Sequence, residues 1–250
     1  MGVSGVLPLG GKHVLIYSTG AKVHWQSGEL DCKAMRFHPE RTGIIDHGTY
    51  YTAKSQIDAR GSRILWGWIP ETRPEEQFRS AAWSGVMSLP RVLSLDADGQ
   101  LLMQVAPAFS MLRGRVQFLR YSVGKATAPL RLSDAYGKIV CVSNELREPF
   151  KLSLRDEASQ KFALDVGFDP ACGNLTIGDQ SGALTLAGNQ LSLHIYVDRS
   201  AIEILVEDHL AYTARFYFSG NKAPDLRVDI AVYAKDEASV SIAQLHSVWR

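Results

Sequence analysis

Residues 63 to 70 read RILWGWIP. In an extended strand the side chains alternate between faces. Ile64, Trp66 and Trp68 therefore line one side, and Leu65, Gly67 and Ile69 the other. Glycine weakens a strand unless something must approach the backbone closely at that point. The reading is that Gly67 makes room for close packing and that the two tryptophans are mostly core, with Trp68 at the edge of a pocket.

Runs of the same kind recur outward from this one. HVLIYS (13–18), TYYTAKSQI (49–57), RVLSLDA (91–97), LLMQVA (101–106), KIVCVSN (138–144), FALDVGF (162–168), LTIGDQ (175–180), ALTLAG (183–188), LSLHIYV (191–197), AIEILVE (201–207), LAYTARFYF (210–218), VDIAVYA (228–234) and VSIAQLHSVW (240–249) are short, β-branched or aromatic, and separated by turn residues. Asp98-Gly99 favours a tight hairpin. Ser181-Gly182, Gly188-Asn189 and Gly220-Asn221 punctuate the second half. Only Pro74–Ala82, with proline and two glutamates in its first turn, and Pro107–Arg115 read as helical. The chain is all-β.

Composition shifts along the chain. Up to about Pro107 the segments are aromatic-rich and hold four of the five tryptophans. Beyond it the strands alternate plainly. Leu191, Leu193, Ile195 and Val197 share one face, and Ser192, His194 and Tyr196 the other, a pattern suited to a β-sandwich with one buried and one wet face. A boundary near 105–115 follows, giving domains at 1–108 and 109–250.

The net charge of +1 on 250 residues, 21% of them charged, offers no bulk electrostatic case for nucleic acid or an acidic membrane. No apolar run approaches the ~18 residues that span a bilayer. The N-terminus lacks the pattern of a signal peptide, so the default expectation for the chain as given is cytoplasmic. Three cysteines, Cys32, Cys141 and Cys172, read as free thiols. The seven histidines show no metal-ligand spacing.

Three stretches carry a family resemblance. DHGTYYTAKSQIDARGSRILWGWIPE (Asp46–Glu71) is similar to the last-blade segment of glycoside hydrolase family 32, the invertases, levanases, inulinases and fructan exohydrolases. WSGVMSLPRVL (Trp83–Leu93) resembles the connecting stretch that follows, and VDRSAIEILVED (Val197–Asp208) the signature of that family's C-terminal sandwich. All occur in the family's order. His47 departs from the usual Tyr or Phe, and Glu207-Asp208-His209 replaces an Asn-Asp-Gly-like turn.

The resemblance implies a partial five-bladed β-propeller, its last blades only, followed by a C-terminal β-sandwich. It also implies retaining two-carboxylate chemistry on sucrose or a fructan, with no cofactor or metal. The family's Asn-Asp-Pro-Asn nucleophile, Arg-Asp-Pro and Glu-Cys acid/base motifs are missing. Asp169-Pro170, Arg155-Asp156 and Asp31-Cys32 are only shadows of them. Read back from VLPLGGKHVLIYS, the acid/base position falls at about Gly2, so the expectation is a fragment without catalytic residues and inactive alone.

The resemblance brings Asp46, Tyr50 and Lys54 toward a central funnel, where a carboxylate and a phenol hold sugar hydroxyls. Trp68, Lys22 and Trp25 join the same pocket. The competing reading is an ordinary surface strand with a turn aspartate before Gly48. Asp198, Ser200 and Glu203 invite a catalytic reading. On one strand, however, Asp198 and Glu203 would face opposite ways, and Glu203 and Glu207 would be ~13 Å apart. These residues are expected to bind the sandwich's own turns. Ser200 with His209 lacks a nucleophile elbow. A non-catalytic carbohydrate-binding or accessory module is the alternative from another class, and a truncated gene product or mis-assigned start codon is a third. An open propeller remnant would expose edges and self-associate.

Overall fold

The computed structural model describes residues 2–122, 130–186, 188–218, 222–231 and 237–246. The chain is all-β, as its alternating runs require, and divides into two compact units. One comprises Met1–Phe109 with Asp208–Arg215. The other comprises Ser110–Glu207 with Phe216–Arg250.

The first unit opens with four strands, β1 (Gly2–Leu9), β2 (Lys12–Thr19), β3 (Lys22–Asp31) and β4 (Arg36–Ile44), paired antiparallel in that order. Gly10-Gly11 and Gly20-Ala21 all take positive φ. That is the primed two-residue turn whose twist matches the strands it joins. Val14, Ile16, Val23 and Trp25 are buried along β2 and β3. The outermost strand, β4, is mostly exposed and carries Pro39, a residue that only an edge strand tolerates.

A second sheet follows, from β5 (Tyr51–Ile57), β6 (Arg63–Ile69), β7 (Val86–Met87), β8 (Arg91–Leu95) and β9 (Leu101–Val105). Its order is β5-β6-β8-β9, with β7 also on β6. The helix α1 (Glu75–Ala81) starts after Pro74 and stops at a left-handed Ala82, close to the expected span. Asp96 shapes the β8–β9 turn by accepting from the amides of Asp98 and Gln100. Asp98-Gly99 therefore lies in a five-residue connection (96–100), longer than a tight two-residue hairpin.

The tryptophan strand reverses the expected sides. Leu65, Gly67 and Ile69 form the buried face, while Trp68 is 43% exposed and Trp66 half-buried. The tryptophans are not the core here. The cause is Tyr50, whose ring lies directly on Gly67. A Cβ at that position would stand 2.0 Å from Tyr50 Cζ, so only a residue without a side chain admits the buried ring.

The second unit contains β10 (Arg113–Ser122), β11 (Leu130–Leu132), β12 (Tyr136–Ser143), β13 (Phe150–Asp156), β14 (Phe162–Asp169), β15 (Asn174–Ile177), β16 (Gln180–Ala183), β17 (Leu191–Asp198) and β18 (Ala201–Val206). After β19 (Leu210–Arg215), which groups with the first unit, come β20 (Leu226–Ala231) and β21 (Glu237–Leu245). One sheet runs β10-β21-β12-β17-β18 and the other β11-β20-β13-β14-β15-β16. Ile139, Leu193, Ile195, Val240 and Ile242 from the first, and Leu152, Leu154, Val166 and Val228 from the second, are almost fully buried. Each such side chain contributes about 1.5–3 kcal/mol relative to exposure.

Local expectations fare unevenly. Ser181-Gly182 lies inside β16, and the turn is three residues earlier at Gly178-Asp179. Most of ALTLAG is not strand, and Pro107–Leu112 is a 3-10 helix that gives way to β10 at Arg113. The wet face foreseen for β17 is partly covered, since Tyr196 is buried, and all six residues of β18 are buried. Gly220-Asn221 lies outside the described residues. All three cysteines are free. Burial pushes the Cys141 thiol up to about 12, which makes it inert.

Replacing Gly67 with Ala should destabilise the first unit by about 1–3 kcal/mol through overpacking. Urea unfolding measures this. Adding Tyr50→Ala should make the pair cost less than the sum of the single changes.

Candidate functional site

The segment between β4 and β5 carries the first candidates, and backbone bonds fix it before any side chain acts. Ile45 donates to the Val23 carbonyl, His47 to that of Ala211 and Thr49 to that of Thr213, at 2.7–2.9 Å. Lys22 reaches across from the start of β3 and donates its ammonium to the carbonyls of His47 and Gly48.

Asp46 sits at the centre with its side chain fully buried. Its Oδ1 accepts from the amides of Gly48 (2.9 Å) and Thr213 (2.8 Å). Its Oδ2 accepts from the Thr213 hydroxyl (2.6 Å) and from Arg91 Nη2 (2.8 Å). Arg91 is equally buried, donates to Thr213 Oγ1 at 3.1 Å and lies 4.6 Å over the Tyr50 ring. Two buried opposite charges are tolerable only with this density of hydrogen bonds. His47 next door is held below the usual imidazole range by burial, with Asp46 opposing that shift.

This geometry sorts the six residues read from the sequence. Asp46, Tyr50 and Trp25 are at most 2% exposed, so in this conformation no ligand reaches them. The Asp46 carboxylate is moreover already saturated by protein donors. Lys22 is spent on two carbonyls of the same segment. Lys54 and Trp68 alone of the six are exposed.

A bulge brings those two to one face. Tyr51 pairs with Trp68 and Lys54 with Trp66, so one extra residue stands in β5, and Thr52 takes φ 50° to accommodate it. Tyr51, Lys54, Trp66, Trp68 and Met87, which pairs with Trp68, consequently share one side of the sheet, with Met87 61% exposed. Trp83 meets two guanidinium groups, with Arg73 at 4.3 Å and Arg215 at 5.4 Å from its ring centroid. Glu71 holds Arg73 through two hydrogen bonds. Arg91 and Thr213 were not foreseen. An arginine opening the apolar alternation of RVLSL was a readable signal for the first, whereas nothing local marks Thr213.

Asp198 and Glu203 are not on one strand. Asp198 ends β17 and Glu203 lies within β18 of the same hairpin, opposite Tyr196. A hairpin turn separates them, so alternation along a single strand does not set their faces. Glu203 is 3% exposed, Asp198 is exposed, and Glu207 caps the amide of Ser192. Asp31, the shadow of the acid/base motif, binds the amides of Lys33 and Ala34, and these bonds lower its pKa. Among the described residues no cluster of histidine, cysteine and carboxylates could hold a metal ion, and no helix is long and apolar enough to cross a membrane.

Comparison with known proteins agrees with this outline. Residues 4–106 match the model of the glycosyl hydrolases family 32 N-terminal domain, and residues 126–249 that of the family's C-terminal domain. An insoluble β-fructofuranosidase isoenzyme of Oryza sativa subsp. japonica is 36% identical over 110 residues, covering 41% of this chain and 19% of that protein. A fructan 1-exohydrolase of Bromus pictus is 34% identical over 110 residues, 41% of this chain and 18% of that protein. Among solved structures, a Bombyx mori β-fructofuranosidase superimposes with TM-score 0.76 at 18% identity, covering 97% of this chain and 53% of that one. The chain thus spans about half the length of this structural relative, and its alignments reach less than a fifth of the two plant proteins.

Arg91→Met should cost about 3–5 kcal/mol of first-unit stability, because it strands the buried Asp46 carboxylate. Asp46→Asn should also destabilise. The double variant should lie well below the sum of the two in a urea-melt cycle, and additivity would show that the pair is not coupled.

Proposed function

The chain belongs to glycosyl hydrolase family 32, and from that premise we propose that it is the carboxyl-side part of a β-fructofuranosidase-type hydrolase acting on sucrose or fructans. The observation that carries this reading is the ordered pair of domain matches, 4–106 and then 126–249. The names of the relatives, β-fructofuranosidase and fructan 1-exohydrolase, supply the substrate class.

In this reading the two sheets of the first unit are the last blades of a five-bladed propeller. The two sheets of the second unit pack as a sandwich, with the domain boundary at 108/109. The antiparallel β1-β2-β3-β4 meander, a blade's usual make-up, supports the first part. The rows of buried residues on both sheets of the second unit support the other.

The chemistry of the whole hydrolase is retaining. One carboxylate attacks the anomeric carbon of the fructosyl unit while a carboxylic acid protonates the departing oxygen. Water then releases the covalent fructosyl group. Such a pair must stand about 5–5.5 Å apart across the sugar, with oxygens available to it. Asp46 is not such a group, because protein donors occupy both of its oxygens. Asp156 likewise caps its own turn, accepting from the amides of Ala158 and Ser159 and from the Ser159 hydroxyl. In this reading the nucleophile and the acid lie outside these 250 residues, and the chain alone is expected not to cleave substrate. No cofactor or metal enters the scheme.

Of the six pocket candidates, Trp68 and Lys54 are the ones that a fructosyl ligand can touch. Asp46, with Arg91, positions the strand that carries Lys54. The same exposed face, with Tyr51, Trp66 and Met87, is apolar enough to pair with a second copy of the chain when nothing else covers it.

Two experiments test this reading. The purified 250-residue chain should release no fructose from sucrose or inulin above background, and turnover would overturn the placement of the missing carboxylates. Light scattering should find self-association that Trp68→Glu with Met87→Glu reverses. A monomer at all concentrations, with both side chains intact, would remove the apolar face as a contact surface.

A further inference from the structure

The second unit carries an open groove of about 430 Å³ on the outer side of β13, β14 and β15. Gly167, on β14, makes its floor. It pairs with Lys151 on β13 and with Thr176 on β15, and a Cβ there would stand 2.6 Å from Thr176 Oγ1. Asp165, Asp169 and Asn174 complete the polar wall. Phe150 and Phe168 also border it but are at most 3% exposed, so no aromatic face is accessible; the exposed Pro149 is the apolar edge of a lining that is otherwise hydrogen-bonding groups and bare backbone.

The spacing of those groups selects a ligand. Lys151 Nζ and Asp165 Oδ2 are 3.6 Å apart, an ion pair too long for a hydrogen bond. A hydroxyl oxygen set beside the pair, about 2.8 Å from each atom, bridges them by accepting from the ammonium and donating to the carboxylate. Two carboxylates and one ammonium line the groove, so an anion is disfavoured, and a ligand that meets both signs must donate as well as accept, as a hydroxyl does. The Thr176 hydroxyl is engaged only by a long bond to the Gly167 carbonyl, at 3.3 Å. The Asn174 amide offers both a donor and an acceptor. Neighbouring hydroxyls on one ring can thus be met by successive groups along the groove.

We propose that this groove is a carbohydrate-binding subsite, which takes a hydroxyl-rich oligosaccharide on the second unit and reads its hydroxyls rather than stacking on its rings. The geometry stands apart from the hydrolase reading. Only the choice of a fructose-containing probe rests on that reading. Affinity without ring stacking belongs in the millimolar range.

The test is a titration of the isotope-labelled full chain with 1-kestose, followed by amide chemical shifts. Saturable shifts are expected at Lys151, Asp165, Gly167 and Thr176. Asp165→Asn and Gly167→Val should each weaken the binding about fivefold or more, while Trp68→Ala leaves these shifts unchanged. Gly167→Val fills the floor with a strand-favouring residue, so loss of binding in a dispersed, folded spectrum supports the site. No saturable shift at these amides up to about 20 mM, or equal binding by both groove variants, overturns it. Shifts confined to the surroundings of Trp68 would overturn the groove and leave the hydrolase reading intact. The fructose-release assay decides the hydrolase reading separately.

Discussion

The first unit depends on one buried ion pair. Asp46 and Arg91 come from segments 45 residues apart, and Thr213 from much further along the chain, yet the three close on each other with no exposure to water. Isolated charges in such a place would be prohibitive. What makes the arrangement tolerable is that four donors surround the carboxylate, two of them backbone amides whose positions the strands already dictate. The carboxylate therefore locks together β8, the β4–β5 segment and β19. Tyr50, under Arg91 and over Gly67, extends the lock to β6. A residue that looked like a sugar ligand is instead the pin of the sheet.

How far the sequence could be read follows from which forces are local. Strands with strong alternation, such as LSLHIYV, and the helix after Pro74 announce themselves, because burial periodicity and the proline start act within a few residues. The polar strand β4 (RFHPERTGI) hides, because an edge strand needs no apolar face. β1 and β10 hide as well, for their alternation is diluted by glycine and arginine. Gly67 was legible as a point of close approach, but the approaching group was not. Nothing in RILWGWIP says that the ring comes from Tyr50, and so the buried and exposed faces were exchanged. The Asp198–Glu203 spacing misleads for a similar reason. A turn at Arg199-Ser200, with Arg199 at positive φ, divides one apparent strand into two.

The candidate site shows the same division. Residue types suited to sugar hydroxyls were recognised, and the family they resemble is the family to which the chain belongs. Their accessibility depends on partners that sequence spacing cannot reveal. Lys54 and Trp68 share a face only because a bulge at Thr52 shifts the register by one residue. The second unit adds a polar groove made by a missing side chain at Gly167, in a run, FALDVGF, whose periodicity marks it merely as a strand.

Segment 208–215 gives the first unit an unusual dependence on the order of synthesis. Asp46 and Arg91 leave the ribosome long before Thr213 does, so until the later segment emerges the carboxylate lacks two of its four donors. The amide of Met103 likewise waits for the Asp208 carbonyl. The early-made part thus receives its last donors only when a late-made strand arrives. A proteolytic cut or a gene split placed between residues 109 and 208 would separate the two parts of one folding unit, even though it falls outside the first 109 residues.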